Sequence, residues 1–135
     1  MTRRILLSAL LAGGVLANLL GVPALTAEAA PAAGFHALGD LPDGDHDSEA
    51  LAVSLGGGRI VGRGTTERGD EAFFWSPTQG LRLLEQVARE AGLEIPEDWR
   101  LERAIAISHD GGTIAGTGTN PDGAREAWLI VLPSE

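Results

Sequence analysis

Two stretches of this chain are copies of one another. Residues 48–75 read SEALAVSLGGGRIVGRGTTERGDEAFFW and residues 102–130 read ERAIAISHDGGTIAGTGTNPDGAREAWLI. An offset of 54 lays Ala50 on Ala104, Ala52 on Ala106, Ser54 on Ser108, Ile60 on Ile114, Gly62 on Gly116, Gly64 on Gly118 and Gly69 on Gly123. One extra residue in the second copy then sets Glu71, Ala72 and Phe73 against Glu126, Ala127 and Trp128. A repeat constrains a fold more than any composition does. Both copies must form the same supersecondary unit, and each must bury its apolar face against a neighbour.

The unit reads as antiparallel strands. Residues 50–54 are a short strand, and Gly56-Gly57-Gly58, like Asp110-Gly111-Gly112, supplies the positive φ that a tight hairpin needs. The return strand 59–63 carries Gly62, which lets a backbone or an aromatic ring come close. A polar turn at Gly69 leads to a third strand ending in Phe73, Phe74 and Trp75. Ser54 and Ser108 precede the hairpins, where a hydroxyl can bond the turn backbone. Trp75 and Trp128 close their units and are expected to be largely buried. Between the copies Leu83, Leu84, Val87, Ala88 and Ala91 recur at helical spacing, with Glu85 facing Arg89 and Gly92 as a stop. Trp99 is expected to plug the core between helix and sheet.

The first thirty residues read as an address. Arg3 and Arg4 precede an uncharged run from Ile5 to Val22, and Ala27-Glu28-Ala29 gives the small-x-small pattern of a signal peptidase site. Cleavage is expected after Ala29, with Val22-Pro23-Ala24 as the second choice. Gly13, Gly14, Asn18, Gly21 and Pro23 argue against a retained membrane anchor. Both the general secretory and the twin-arginine routes stay open. Residues 1–29 are thus a signal peptide and residues 30–135 a periplasmic or secreted domain. Losing Arg3, Arg4 and Glu28 removes one net positive charge, so the formal −9 of the whole chain becomes −10. Such acidity keeps an exported protein soluble and disfavours nucleic acid and anionic membranes as partners.

The motifs FHALGDLPDGDHDSEALAVS, GGRIVG and EAFFW, and the closing WRLERAIAISHDGGTIAGTGTNPDGAREAWLIVLP, resemble the HAF-type extracellular repeat. That family shows an LG-x-LPGG opening, an SxA-x-x-VSADG centre, a VVG return strand and an AFxW close. Here Asp43 replaces a glycine of LPGG, and Leu55-Gly56 replaces Ala-Asp of the first VSADG. The resemblance implies exported, propeller-like β repeats. Two units fall short of the four or more blades that close a ring. The expected fold is therefore mainly β: two antiparallel blade-like units, a propeller-like fragment, with one inserted short helix. The units span about residues 35–76 and 102–133, and the helix about residues 83–91.

Candidate chemistry is sparse. Asp43, Asp45 and Asp47 alternate in a loop also holding Asp40 and Glu49, which makes them the calcium candidate of the chain. The EF-hand spacing is absent, and a solvated turn is the competing reading. No other cofactor is indicated. His36, His46 and His109 are the histidines, and no G-x-S-x-G elbow, H-E-x-x-H helix or phosphate loop accompanies them. The reading is a non-enzymatic binding or assembly module of unknown ligand. One alternative is a degenerate hydrolase-like enzyme with a histidine paired to Ser108 or Asp110. Another is a non-autonomous C-terminal remnant of a longer repeat protein. The last strand, from Glu126 to Leu132, is apolar and carries no charge after Glu126, so its edge needs a partner. Residues 35–41 folding back onto it are the favoured partner, with self-association through that edge as the alternative.

Overall fold

The computed structural model describes residues 31–42, 44 and 46–134. The expected signal peptide, its cleavage site, and Asp43 and Asp45 of the acidic loop lie outside the described residues. The first copy folds into strands β1 (Ser48–Val53), β2 (Ile60–Thr66), β3 (Gly69–Ser76) and β4 (Gly80–Leu83). Helix α1 (Leu84–Glu90) follows, and the second copy gives β5 (Arg100–Ile107), β6 (Thr113–Thr119) and β7 (Arg125–Val131). The strands form two antiparallel sheets in the orders β1-β2-β3-β4 and β5-β6-β7, so the molecule is mainly β with one short helix.

The repeat extends to individual hydrogen bonds. Ser54 exchanges backbone bonds with the turn, its N–H donating to the Arg59 carbonyl at 2.9 Å, and Ser108 does the same with Thr113 at 2.9 Å. The hydroxyls of Ser54 and Ser108 each accept the returning backbone N–H, of Arg59 and of Thr113, at 3.0 Å. Gly57 and Gly111 take the positive φ of the turn, at 77° and 79°. Register slips by one residue between Ala50 and Ala52 in the first unit and between Ala104 and Ala106 in the second. Each bulge falls at the same repeat position and re-aims the strand that follows it.

A ring lying on a glycine organises each unit. Gly62 pairs across the ladder with Phe73, and Gly116 with Trp128. A methyl group on Gly62 would run into the Glu49 carbonyl oxygen and meet the Phe73 ring at 2.9 Å. One on Gly116 would run into the Arg103 carbonyl and come 2.5 Å from Trp128 Cζ2. The indole extends on to Gly118, where a methyl group would sit 3.2 Å from Nε1. Glycine at these positions is a packing requirement, since any side chain would lift the aromatic ring off the sheet.

The two sheets stack with opposite faces of the repeat in contact. Val61, Ala72 and Phe74 on one face of the first sheet share a core with Leu101, Ala104, Ile114 and Ile130 of the second, capped by Leu84 and Ala88 of α1. The other face of the first sheet, with Phe73, packs under Leu41 and Leu81, flanked by Leu38, Ile60, Trp75 and Leu83. Strand β3 is therefore buried on both faces. By the repeat offsets, Val61, Ala72 and Phe74 correspond to Ala115, Ala127 and Leu129; Ala115 is half-buried, Ala127 is exposed and Leu129 is 64% exposed.

Three points differ from the expectation. Strand β4 adds to it; it is four residues long, and Leu81 and Leu83 merge in sequence with the helical apolar pattern that follows. Trp75 and Trp128, by contrast, pack against the margins of their clusters with only part of each side chain in solvent, as expected. Trp99 is also half-buried and lies outside the core cluster. Residues 35–41 do not pair with the last strand; Leu38 and Leu41 instead pack on the Phe73 face of the first sheet.

Gly116→Ala is expected to cost about 1–3 kcal/mol by overpacking, lowering the melting temperature by roughly 4–8 °C per kcal/mol for a domain of this size. Gly58→Ala is the control, since its φ of −82° suits any residue and its Cβ meets nothing within 4 Å. Thermal unfolding followed by circular dichroism reads both.

Candidate functional site

Around the acidic loop the structure gathers charge on Arg63. Its guanidinium lies 3.4 Å from Asp47 Oδ2, 3.1 Å from Glu49 Oε1 and 3.4 Å from Asp70 Oδ1, with its own side chain only 18% exposed. Burial pulls the Arg63 pKa down, but the neighbouring Asp47, Asp70 and Glu49 carboxylates outweigh it and hold it above the ordinary value. Asp47 also accepts a hydrogen bond from Thr65 at 3.2 Å. Of the calcium candidates Asp43, Asp45 and Asp47, only Asp47 is described, and an internal cation already engages it. Among the described residues no three His, Asp or Glu side chains are grouped to hold a metal ion. His46 bonds Asp40 at 3.0 Å on the surface, and that bond holds the Asp40 carboxyl below its usual value.

The serines are turn residues. Ser108 Oγ donates to Asp110 Oδ1 at 2.6 Å while accepting from Thr113. Asp110 also accepts the Gly112 N–H at 2.9 Å, and these two bonds, Ser108 first, depress its pKa. Both serine hydroxyls are engaged by their own turns, and His109 gives its backbone carbonyl to Leu55 N–H at 3.1 Å, tying the two turns together. Glu71 and Glu126 form a pair that sequence reading aligned but did not interpret. Thr66 donates to Glu71 at 2.6 Å and its repeat partner Asn120 to Glu126 at 2.8 Å, so both glutamates brace the β2–β3 and β6–β7 turns.

An open groove lies along β7. A groove of about 310 Å³ runs between Leu93, Glu94, Ile95, Pro96, Trp99 and Leu101 on one side and Trp128, Leu129, Ile130 and Val131 on the other. Its lining is apolar except for Glu94. Trp99, displaced from the core, serves as its wall. β7 is the last strand of its sheet, with β6 on one side and, among the described residues, no strand on the other. The sequence signal for the edge was legible in the uncharged run after Glu126; the groove beside it was not, because the loop 93–99 that forms its far wall has no periodic pattern. Trp128 Nε1 is buried without a hydrogen-bond partner among the described residues. It lies over Gly118, whose ladder partner is Leu101.

Compared with family models, curated proteins and solved structures, the chain matches none.

A carboxyl with a depressed folded pKa contributes stability above its unfolded value of about 3.9 and loses it as pH falls through the folded value. Asp110→Ala is therefore expected to unfold at a lower temperature than the parent at pH 7. The gap should close in acid, below about pH 4. Melting curves across pH 2.5–7, a range set roughly by those carboxylate values, check the sign.

Proposed function

We propose that the chain is an exported, non-enzymatic β-repeat protein of the HAF type, a propeller-like fragment that works as a binding or assembly module. The observation that carries this reading is the uncovered side of the second unit. Leu129 and Val131 are 64% and 57% exposed at the positions where the first unit buries Phe74 and Ser76, and Ile105 in the same sheet is 44% exposed. Apolar surface kept in one place on a small acidic protein marks a place of contact. Support for the non-catalytic part comes from Ser108 and Ser54, whose hydroxyls are engaged by their own turns. Export rests on the charged start, the uncharged run and the Ala27-Glu28-Ala29 pattern.

Native mass spectrometry of the protein recovered from the periplasm or medium of a producing bacterium tests the whole reading. The expected species begins at Ala30 and is inert towards generic ester and peptide substrates. A chain still beginning at Met1 in the cytoplasm, or a hydrolysis lost in Ser108→Ala, would overturn it.

A further inference from the structure

The first unit has four strands and the second three, and the difference falls where the groove lies. In the first sheet Phe73, Phe74, Trp75 and Ser76 of β3 pair with Leu83, Arg82, Leu81 and Gly80 of β4. Their equivalents at offset 55 are Trp128, Leu129, Ile130 and Val131, and those same four residues line the groove. The groove therefore adjoins the stretch of β7 that a fourth strand would pair with. Its backbone is ready for one. Leu132 N–H donates to Gly112 on the inner side of the sheet at 2.7 Å, so by strand alternation Val131, Leu129 and Ala127 direct their N–H and C=O groups outwards. An unpaired edge beside an apolar wall is the arrangement that captures an extended segment by strand addition.

We propose that the N-terminal arm of a second copy of this chain fills that place, with residues 34–37 taking the position that β4 holds beside β3. This rests on the assembly reading above and names its surface and partner. The strand in the first unit is Gly80-Leu81-Arg82-Leu83; the arm offers Gly34-Phe35-His36-Ala37, the same order of glycine, apolar, basic, apolar. Phe35 is 93% exposed in its own chain, the most exposed large apolar side chain among the described residues. Residues 31–39 carry no carboxylate in an otherwise acidic protein, and their one ionisable side chain, His36, matches the one ionisable side chain of the groove, Glu94. In the first unit Arg82 plays the corresponding part, reaching Glu90 at 2.6 Å. The arm belongs to a second copy because Leu38 and Leu41 root it on the Phe73 face of the first sheet. The whole first sheet stands between that face and the second unit. Reciprocal exchange of arms closes as a twofold dimer.

Sedimentation velocity on the exported protein, with Phe35→Asp as the variant, tests the proposal, together with hydrogen exchange of the β7 amides. Phe35 makes so little contact in its own chain that the variant should keep the parent melting temperature. The parent is expected to dimerise with rising concentration, and Phe35→Asp to weaken association at least roughly tenfold, as loss of one buried aromatic should. The amides of Ala127, Leu129 and Val131 should exchange slowly in the parent dimer and quickly in the variant. A parent that stays monomeric at high micromolar concentration overturns the proposal. So does a loss of association in the variant with those amides unprotected in the parent. Association that persists in Phe35→Asp also overturns the arm exchange while leaving the assembly reading standing; that reading fails separately, on export or on hydrolysis.

Discussion

The structure depends on an aromatic ring lying flat on glycine. Gly62 beneath Phe73 and Gly116 beneath Trp128 are the pairs that let each sheet carry a large side chain without separating from its neighbour. The ring supplies area, and the missing Cβ supplies room for it, so neither partner is useful alone. Close packing makes such sites intolerant of a single added methyl group. The carbonyls of Glu49 and Arg103 approach the same two glycines from the adjoining strand, so the backbone as well as the ring occupies the space a side chain would need. Because the pair recurs, the two units share a shape, and sharing a shape lets one stack on the other.

That stacking is directional. The Phe74 face of the first unit meets the Trp128 face of the second, and these are different faces of the repeat. A stack of unlike faces has no natural end: each unit leaves one face for the next. At one end the chain supplies its own cover, with Leu38 and Leu41 over Phe73. At the other, Leu129 and Val131 stay in solvent. Polar contacts fix the angle between units. Arg100 donates to the Arg68 carbonyl at 2.6 Å, and Leu55 N–H donates to the His109 carbonyl at 3.1 Å.

Much of this was legible in the sequence, and the reason is repetition. Two copies show which glycines are structural, because chance would not place Gly57 and Gly111, or Gly62 and Gly116, at one spacing. The hairpins and the serine-braced turns could be read that way, while the helix showed in its apolar spacing and the bare last strand in its lack of charge. What escaped was what the copies do not share. Strand β4 has no counterpart in the second unit, and its Leu81 and Leu83 run into helical spacing. The loop carrying Trp99 occurs once, so nothing in the sequence separates a core plug from a groove wall.

Strand pairing in this protein never leaves the neighbourhood of the chain. Every ladder joins consecutive strands, β1 with β2 through β3 with β4, then β5 with β6 and β6 with β7. Hairpins of this kind form on the order of microseconds, yet an isolated sheet of a few strands is marginal until something packs on it. The first sheet meets its cover only after the ribosome has added roughly fifty more residues, a delay of several seconds at typical rates of synthesis. Through that interval Val61, Ala72 and Phe74 have only the short helix α1 to rest on. A chain with this order of elements therefore gains by not folding as it is made, and by leaving the stacking of its sheets until both halves are present together.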